Sequence, residues 1–252
     1  MEYEWNMNRV VAGDHYDLNS ASGDALIHCQ VSGKREGVTL VFLHGNGEDM
    51  HIFDPQIAYF SNDYKVVAID TRGHGQSTRG TEKFDFHTFA LDLFAVLDAL
   101  HIDKAHIIGF SDGAITALYA ATIQPDRLLS MVLLGANYNP RGLKWIPYLY
   151  IRLVYVWLSV ASLFAKPKRK QREIWGLMVH QPNLTLEEIG RICLPALVVT
   201  GQKDMVRQRQ SDEISRAIVG AQRLVISGGD HFWLFSQPEL LYRSIVDFLR
   251  GG

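Results

Sequence analysis

The sequence predicts an α/β fold in which a mostly parallel sheet is flanked by helices, with a small helical cap inserted before the late strands. Short apolar runs rich in Val, Ile and Leu alternate with longer segments whose apolar residues recur every three or four positions. Many of the short runs are hydrophobic throughout, as strands buried on both faces of a parallel sheet must be. The alternation stops after residue 134 and resumes near residue 196, and so long an interval predicts a structural unit of its own.

Seven strands and four helices follow from this pattern. The predicted strands are residues 25–31, 39–43, 65–70, 105–110, 129–134, 196–201 and 223–226. The predicted helices are residues 88–100, 113–123, 208–218 and 239–249. We expect residues 1–137 and 189–252 to form one core, and residues 138–188 to form the cap.

Composition and charge restrict the class of protein. The 25 basic and 27 acidic side chains give a formal net charge of −2, so the chain lacks the net basic field on which nucleic-acid binding relies. Cys29 and Cys193 match no metal or redox spacing and fit a reducing compartment. The first ten residues are too acidic and polar for a secretory signal. We therefore expect a cytoplasmic protein with no nucleic-acid partner.

The motif GFSDG around Ser111 carries the strongest chemical signal. It follows the apolar run AHIIGF and opens the helical pattern AITALYAA, which is the strand–turn–helix context that a G-x-S-x-G motif requires. The glycines two residues on either side of the serine let neighbouring backbone pass without a Cβ clash, so a strained turn can present the hydroxyl to a substrate. Ser111 is the predicted nucleophile.

Two backbone N–H groups are expected to stabilise an oxyanion beside this serine. The helix that begins after Ser111 directs its first N–H groups at the reacting carbon, and the amide of Asp112 is one expected donor. The second is expected from the loop HGNG that follows the run at residues 39–43. We assign it to the backbone N–H of Asn46, with Gly47 as the alternative.

A serine nucleophile needs a histidine base that is oriented by a carboxylate. Asp204 ends the segment ALVVTGQKD, and His231 follows the run RLVI in the segment SGGDH. Both therefore follow predicted strands, and the carboxyl ends of parallel strands meet at one edge of a sheet. We predict Asp204 as the orienting acid and His231 as the base. Asp230 is adjacent to His231 and Asp103 precedes the nucleophile, so both are poorer candidates for the acid.

These motifs together resemble those of the α/β-hydrolase superfamily over nearly the whole chain: HGNG, DTRGHGQS at residues 70–77, GFSDG, GQKD and GGDH. The order Ser, Asp, His is the order of that superfamily. The segment GFSDGAITAL is also similar to the elbow of biphenyl-hydrolase-like, valacyclovirase-type enzymes. That resemblance implies hydrolysis of small esters, among them amino-bearing ones. Serine at position 111 argues against the superfamily's dehalogenases and epoxide hydrolases, which use aspartate there.

The predicted function is hydrolysis of small or medium carboxylic esters through an acyl-enzyme intermediate. Amidase, thioesterase, C–C bond hydrolase and perhydrolase chemistry can use the same groups, and a ligand sensor with slow turnover is the alternative from another class. No cofactor or metal is expected, because no metal-ligand cluster is visible among the ten histidines. The sequence leaves the oligomeric state open.

Other polar residues in these motifs have two interpretations each. Asp112 could attract a substrate ammonium, but the helix dipole alone favours an aspartate in a first turn. His44 more often holds such a glycine loop through hydrogen bonds than acts on a substrate. Arg72 and His74 are expected to brace a tight turn, since the glycines interleaved with them are typical of a turn and less so of a phosphate-binding loop. We favour the structural interpretation for all four.

The segment WIPYLYIRLVYVWLSVASLF, residues 145–164, nearly reaches the length of a membrane span and contains one charged residue, Arg152. A single span would place Ser111 and the later strands on opposite sides of a bilayer, so the sheet could not assemble. Two alternatives remain. One is a buried cap helix over the acyl site, which we favour, and the other is an exposed apolar face that rests on a lipid surface beside the basic run KPKRKQR.

The aromatic residues of the predicted cap suggest an apolar substrate pocket. Trp145, Tyr148 and Trp157 are the candidates to line it, since large aromatic side chains bury acyl or aromatic groups well. The expected ligand is thus a small-molecule ester bound between the cap and Ser111.

Overall fold

The computed structural model describes residues 13–21 and 23–251, so the first ten residues, considered above as a signal, lie outside the described residues. The strands are β1 (Asp14–Asn19), β2 (Leu26–Gly33), β3 (Thr39–Leu43), β4 (Lys65–Ile69), β5 (Ala105–Phe110), β6 (Leu128–Leu134), β7 (Ala196–Gly201) and β8 (Gln222–Ile226). The helices are α1 (Asp54–Phe60), α2 (Phe86–Ala99), α3 (Asp112–Ile123), α4 (Trp145–Phe164), α5 (Pro167–His180), α6 (Leu186–Gly190), α7 (Gln208–Ala217), α8 (Trp233–Ser236) and α9 (Pro238–Gly251).

The eight strands form one sheet in the order β1-β2-β4-β3-β5-β6-β7-β8. β1 pairs with β2 and β2 with β4 in antiparallel fashion, whereas the pairs from β4 to β8 are all parallel. Parallel neighbours require crossover connections, which the intervening helices supply. The predicted fold class, a mostly parallel sheet flanked by helices, is confirmed.

Apolar side chains fill both faces of the sheet. Along β3 the buried residues alternate: Val41 and Leu43 belong to one core cluster, Leu40 and Phe42 to the other. The first cluster also contains residues of α2, α3, α6 and α7, and the second contains residues of α1, α8 and α9. Because successive side chains of a strand point to opposite faces, a strand covered on both sides must be hydrophobic throughout.

All seven predicted strands and all four predicted helices are present, with ends within three residues of those expected. The strand β1 was not predicted. Its sequence, DHYDLN, is polar and five of its six residues are exposed, so neither hydrophobicity nor strand propensity marks it. It is a strand because its backbone pairs with β2 over the full six residues.

The segment between β6 and β7 is helical, but the prediction of a buried cap helix is wrong. Of the 20 residues of α4, only Ile151, Leu158 and Ser162 are buried. By length and composition α4 is long and apolar enough to cross a membrane, and it lies mostly exposed on the protein. Hydropathy gives the preference of a helix for an apolar environment, whereas burial depends on how many elements pack around it. Here α4 has packing partners on one side.

The chain directly before α4 attaches this helix to the sheet domain. Leu143 forms an isolated bridge with Val206, and the Lys144 N–H donates to the Met205 carbonyl at 2.8 Å. After α4 the chain turns at residues 165–166, and α5 packs back against α4. We call the pair α4 and α5 the hairpin. The boundary between cap and core at residue 188 stays a prediction. It falls inside α6, and Ile189 of that helix belongs to the core.

Candidate active site

The turn between β5 and α3 holds Ser111 in the conformation that the motif predicts. Ser111 has φ 51° and ψ −112°, which is the left-handed region that non-glycine residues rarely adopt. A Cβ on Gly109 would lie 2.4 Å from the backbone of Gly113, and one on Gly113 would lie 2.0 Å from the Leu43 carbonyl. Glycine is required at both positions because α3 crosses this closely over the ends of β3 and β5.

Ser111, His231 and Asp204 form one chain of hydrogen bonds. The Ser111 hydroxyl donates to His231 Nε2 at 3.1 Å, and His231 Nδ1–H donates to Asp204 Oδ1 at 2.7 Å. Asp204 as acceptor fixes the tautomer that leaves Nε2 free to accept. The three residues come from three loops that follow β5, β7 and β8, and the sheet brings them together at one edge.

The loop after β7 orients the Asp204 carboxylate. Asp204 is fully buried, its backbone N–H donates to the Gly201 carbonyl at 3.1 Å, and its Oδ1 also accepts from the Val206 N–H at 2.8 Å. The Lys203 N–H donates to the Gly229 carbonyl at 2.7 Å, which ties this loop to the loop that carries His231. The carboxylate and the imidazole are therefore held by backbone on both sides.

The two other aspartates considered for this role lie elsewhere. Asp230 is exposed and its Oδ1 accepts from the Phe232 N–H at 2.8 Å, so it caps its own turn. Asp103 is exposed on the loop before β5, at the opposite end of that strand from Ser111. Neither carboxylate is hydrogen-bonded to His231.

The two residues predicted to donate backbone N–H groups flank Ser111. Asp112 is the first residue of α3, and a helix cannot supply an acceptor to the N–H of its first residue. Asn46 lies in the loop after β3, the parallel neighbour of β5. Its side-chain Nδ2 donates to Asp112 Oδ2 at 2.7 Å and to the Ile174 carbonyl at 3.0 Å. These bonds join the HGNG loop to α3 and to α5.

Two carboxyl groups, that of the buried Asp112 and that of the partly buried Glu48, lie close to His231. Burial raises the pKa of Asp112 to about 6, against the hydrogen bond from Asn46 and the attraction of His231, which lower it. Burial likewise raises the pKa of Glu48 to about 7, although Glu48 Oε2 accepts from the Gly45 N–H at 3.0 Å. Sequence reasoning missed Glu48. The signal was its position directly after HGNG, in a loop already expected to reach the site.

The His44 ring supports the loop, as its structural interpretation predicts. Its Nδ1–H donates to the Gly45 carbonyl at 2.8 Å and its Nε2 accepts from the Thr71 N–H at 2.9 Å. The ring is buried and burial lowers its pKa to about 4, so it is neutral at physiological pH. It links the turns that follow β3 and β4.

Arg72 and His74 brace the turn after β4, also as predicted. The Arg72 guanidinium donates to both oxygens of Asp92 on α2, with Nε and Nη2 each at 2.7 Å, and both side chains are buried. His74 Nδ1–H donates to the Arg72 carbonyl at 3.1 Å, and burial is the main reason that its pKa falls to about 4. This turn is thereby fixed to α2.

A small cavity of about 30 Å³ lies at Ser111 under the hairpin. Its walls are Ser111, Asp112, Ile115, Asn137, Leu143, Met178, Gln181, Pro182, Met205, Val206 and His231. That volume holds a water molecule or two, whereas sites for small organic ligands measure about 300–1,000 Å³. The cavity in this structure is therefore smaller than a small organic ligand requires.

Trp145, Tyr148 and Trp157, which were predicted to line the substrate site, are not among the residues that line the cavity at Ser111. Trp145 and Tyr148 line a separate surface cleft together with Arg141 and Arg152. Trp157 is 58% exposed, and its ring lies under the Lys168 ammonium at 5.2 Å. An apolar helix pattern does not say which face turns toward a site, and here the inward face is the one with fewer aromatic rings. The apolar lining comes instead from residues such as Met178 and Met205.

Gly135, directly after β6, was not singled out in the sequence and proves important for the site. It has φ +67°, and a Cβ there would lie 2.8 Å from His231 Cε1. Its N–H donates to the Val199 carbonyl at 2.9 Å, which fixes this backbone to β7. The imidazole thus lies directly against the backbone of Gly135. A glycine that ends an apolar strand was the available signal.

Over residues 13–21 and 23–251, no group of three or more His, Cys, Asp or Glu side chains could hold a metal ion. The hydrogen-bonded groups at Ser111 are serine, imidazole and carboxylate.

Comparison with known proteins gives concordant relatives. The profile of the alpha/beta hydrolase fold family matches residues 38–156. The chain is 38% identical to 3-oxoadipate enol-lactonase 1 of Acinetobacter baylyi, over 88% of this chain and 92% of that protein. It is 30% identical to the serine hydrolase BPHL of Homo sapiens, over 89% of this chain and 83% of that protein.

Among solved structures, the carboxylesterase CesB (YbfK) of Bacillus subtilis superimposes with a TM-score of 0.78. The superposition covers 96% of this chain and 93% of that chain, at 20% sequence identity. At that identity the likeness concerns the fold. The overall fold described above thus occurs in another protein of known structure.

Proposed function

Because this chain belongs to the α/β-hydrolase fold family and is a hydrolase related to esterases and enol-lactonases, we propose that it cleaves carboxylic esters through an acyl-enzyme on Ser111. The supporting observation is the unbroken hydrogen-bond chain from the Ser111 hydroxyl to His231 and Asp204, at 3.1 and 2.7 Å. In this proposal the three residues are a catalytic triad, with serine as nucleophile, histidine as base and aspartate as the orienting acid.

Acylation begins when Ser111 Oγ attacks the carbonyl carbon of the ester and its proton passes to His231 Nε2. The carbonyl oxygen becomes an oxyanion, to which the backbone N–H groups of Asn46 and Asp112 donate. The oxyanion collapses, the bond from the carbon to the alcohol oxygen breaks, and the imidazolium returns its proton to that oxygen. The alcohol leaves and the acyl group remains on Ser111.

Deacylation repeats these steps with water. His231 Nε2 takes a proton from water as its oxygen attacks the acyl carbon, and the same N–H groups hold the second oxyanion. The bond from carbon to Ser111 Oγ then breaks, the serine recovers its proton from the imidazolium, and the carboxylic acid leaves. Asp204 keeps its negative charge throughout and stabilises the imidazolium in both steps.

Small or medium esters, open-chain or cyclic, suit this site best. A lactone is a cyclic ester and opens by the same attack, and one of the relatives is named an enol-lactonase. Six of the eleven residues that line the cavity have aliphatic or thioether side chains, and the other five, among them Asn137 and Gln181, are polar. The apolar part of the lining matches apolar acyl groups. Amides, thioesters and C–C bonds have other leaving groups and are the comparison substrates.

Kinetics with a panel of p-nitrophenyl esters, lactones, amides and thioesters test this proposal. We expect ester or lactone turnover to exceed amide turnover, and Ser111→Ala to lower kcat by a factor of about 10³–10⁶. A fluorophosphonate probe should label the wild-type enzyme at Ser111 and leave Ser111→Ala unlabelled. Full turnover by Ser111→Ala, or labelling at another residue, would refute the proposal.

We further propose that Asp112 favours esters that carry an ammonium group. Its carboxyl is buried next to Ser111 and is part of the cavity wall, and with a pKa of about 6 it is mostly ionised at pH 8. A charge-assisted hydrogen bond from a substrate ammonium to this carboxylate is screened little in a buried site. Such a contact distinguishes an aminoacyl ester from an uncharged ester of the same shape.

Asp112→Asn removes this charge and keeps the backbone N–H that faces the oxyanion. For the variant we expect kcat/KM for an aminoacyl ester to fall by about tenfold or more at pH 8, while kcat/KM for the uncharged isostere stays within about threefold. An equal change for both substrates would assign Asp112 to the helix start alone.

A further inference from the structure

One face of α4 presents apolar side chains to solvent along its full length. Ile146, Leu149, Leu153, Val156, Val160 and Leu163 are all between 50 and 72% exposed, and their spacing of three and four places them in a single stripe. We call these six residues the α4 face. An unbroken apolar stripe of this length is unusual on a protein that remains free in water, and it marks an interaction surface.

The side chains that border the α4 face are aromatic. Tyr150, Trp157 and Phe164 follow one another at intervals of seven residues, and each is more than half exposed. Tryptophan and tyrosine are the residues that prefer the boundary between lipid headgroups and acyl chains. The stripe therefore has the composition of a helix that lies in a membrane interface.

Positive charge surrounds this stripe and negative charge is excluded from it. Residues 128–172 contain eight Lys or Arg side chains and no Asp or Glu, whereas the rest of the chain has 17 basic and 27 acidic side chains. Five of the eight lie in the basic run, residues 166–172, where α5 begins. The first acidic side chain after it, Glu173, pairs with Arg79 at 3.0 Å. The surface thus matches an anionic partner.

The basic run adjoins the α4 face directly. The Lys168 ammonium lies 5.2 Å from the centre of the Trp157 ring. Lys166, Arg169 and Lys170 are exposed at the same end of the hairpin. An apolar stripe with cations at its edge fits the cross-section of a lipid monolayer, which has acyl chains below and phosphates above.

We propose that the hairpin docks on the surface of an anionic lipid bilayer, with the α4 face in the acyl boundary and the basic run at the phosphates. A transmembrane orientation does not fit the fold. The bridge from Leu143 to Val206 holds the start of α4 on the sheet domain, and Asn46 holds Ile174 of α5 on the same domain. If α4 crossed the bilayer, the charged chain of α5 would have to return through it.

A second copy of this chain fits the surface less well. In a parallel pairing of two α4 faces the basic run would meet itself, and in an antiparallel pairing it would meet Lys144 and Arg152 at the other end. Both arrangements bring like charges together without an acidic side chain to compensate. An anionic lipid surface removes that repulsion, and its attraction adds to the burial of the stripe.

The position of the docking surface is relevant to which substrates reach the cavity in the proposed function. The hairpin that carries the α4 face also roofs the cavity, since Met178 of α5 is part of the cavity wall and the Ile174 carbonyl accepts from Asn46. Docking brings this roof to the membrane, where apolar esters are concentrated. This consequence rests on the proposed function, whereas docking itself can be measured without a substrate.

Co-sedimentation with vesicles tests the docking directly. The protein is mixed with vesicles of phosphatidylcholine alone or with added phosphatidylglycerol, at low and at high salt. We expect binding to the anionic vesicles, much weaker binding to the neutral ones, and a decrease with salt. Equal binding to both vesicles, or none to either, would overturn the proposal.

Two variants separate the apolar and the electrostatic contributions. Leu149→Ser/Leu153→Ser/Val156→Ser weakens the α4 face, and Lys166→Gln/Arg169→Gln/Lys170→Gln neutralises exposed cations of the basic run. We expect each to lower the vesicle partition coefficient by at least about tenfold, and the charge variant by up to about 100-fold at low salt.

Matched controls change exposed apolar or basic residues away from the hairpin. Val38→Ser/Val219→Ser and Lys34→Gln/Arg35→Gln/Lys104→Gln alter exposed positions and should leave partition unchanged. Thermal unfolding verifies that each variant is folded. Equal losses in variants and controls would contradict docking through the hairpin. Sedimentation velocity tests whether a second copy of the chain occupies the α4 face instead. If the wild-type protein is a dimer that the α4 variant dissociates, and it does not bind vesicles, the surface is a dimer interface.

Discussion

At the scale of single residues, the site depends on backbone positions that carry no chemistry themselves. Ser111 is usable because Gly109 and Gly113 admit α3 within contact distance of the sheet, and His231 is placed because Gly135 leaves room for its ring. Motif reasoning finds the first two glycines, since they belong to the elbow. It cannot find Gly135, whose role arises from a contact across 96 positions of sequence.

Substitution of Gly135 tests this placement. In Gly135→Ala the new Cβ would lie 2.8 Å from His231 Cε1, so we expect the imidazole to shift and ester kcat to fall by up to about 100-fold. KM should change little. The matched control is Gly220→Ala, which has a similar φ of +77° and no atom within 4 Å of its Cβ. It should lose a similar stability to backbone strain, roughly 1–2 kcal/mol, and keep its kcat. Equal kcat values in the two variants would contradict the positioning role.

The surroundings of Glu48 disfavour the ionised form of its carboxyl group. Its pKa is raised by burial to about 7, whereas in the unfolded chain it ionises near its ordinary value of 4.5. Between these two values the unfolded state releases the proton first, so rising pH destabilises the folded protein over this window. The cost above pH 7 is on the order of 3 kcal/mol.

Glu48→Gln should remove this dependence. Because glutamine does not ionise, we expect the variant to be more stable than wild type at pH 8 and similar to it at pH 4.5. Its amide oxygen can still accept from the Gly45 N–H. Urea unfolding at the two pH values measures the difference. A variant less stable than wild type at pH 8 would show that the carboxylate stabilises the fold.

At the scale of elements, the central strands were predictable because each is buried on both faces and therefore hydrophobic throughout. Two elements were not predicted correctly, for opposite reasons. β1 is polar and exposed and exists through its pairing with β2, a partner that local sequence does not reveal. α4 is apolar but mostly exposed. Its hydropathy indicates that it prefers an apolar environment, but not which elements of the fold pack against it.

Helix α2 carries two ion pairs that differ in burial and thus in their effect on stability. Asp92 pairs with Arg72 where both side chains are at most 5% exposed, and Asp98 pairs with Arg127 where the aspartate is 65% exposed. Asp92→Asn leaves the buried guanidinium without its counter-charge and should lower the free energy of unfolding by roughly 3–5 kcal/mol.

The exposed pair serves as the control for this measurement. Asp98→Asn should lower the free energy of unfolding by about 1 kcal/mol or less, because water screens the charges that remain. Chemical denaturation of both variants at one pH measures the contrast. Similar losses would mean that the Arg72–Asp92 pair does not fix the turn after β4 to α2.

At the scale of the whole molecule, topology assembles a site from residues that are far apart in sequence. Loops after β3, β5, β6, β7 and β8 meet at one edge because these strands are parallel neighbours. Ser111, Asp204, His231 and the loop with Asn46 could be predicted, since each follows a recognisable strand. The whole wall of the cavity could not, because Met178 and Gln181 are placed by the packing of the hairpin, which no local pattern encodes.

Charge is distributed unevenly over the molecule. The net charge of −2 conceals a segment, residues 128–172, that has eight basic and no acidic side chains, and a remainder that is acidic. A chain-wide balance gives no indication of partners here, whereas the distribution along the fold does. The same hairpin closes the cavity at Ser111, so access to the site and contact with a surface involve one element.

The most direct test of the central claim is to trap the acyl-enzyme. Wild-type enzyme mixed with excess p-nitrophenyl acetate is quenched in acid before the steady state, digested and analysed by mass spectrometry. We predict a burst of p-nitrophenol and one acetyl group on the peptide that contains Ser111, with neither in Ser111→Ala. An acetyl group on a different residue, or an undiminished burst in Ser111→Ala, would contradict nucleophilic catalysis by Ser111.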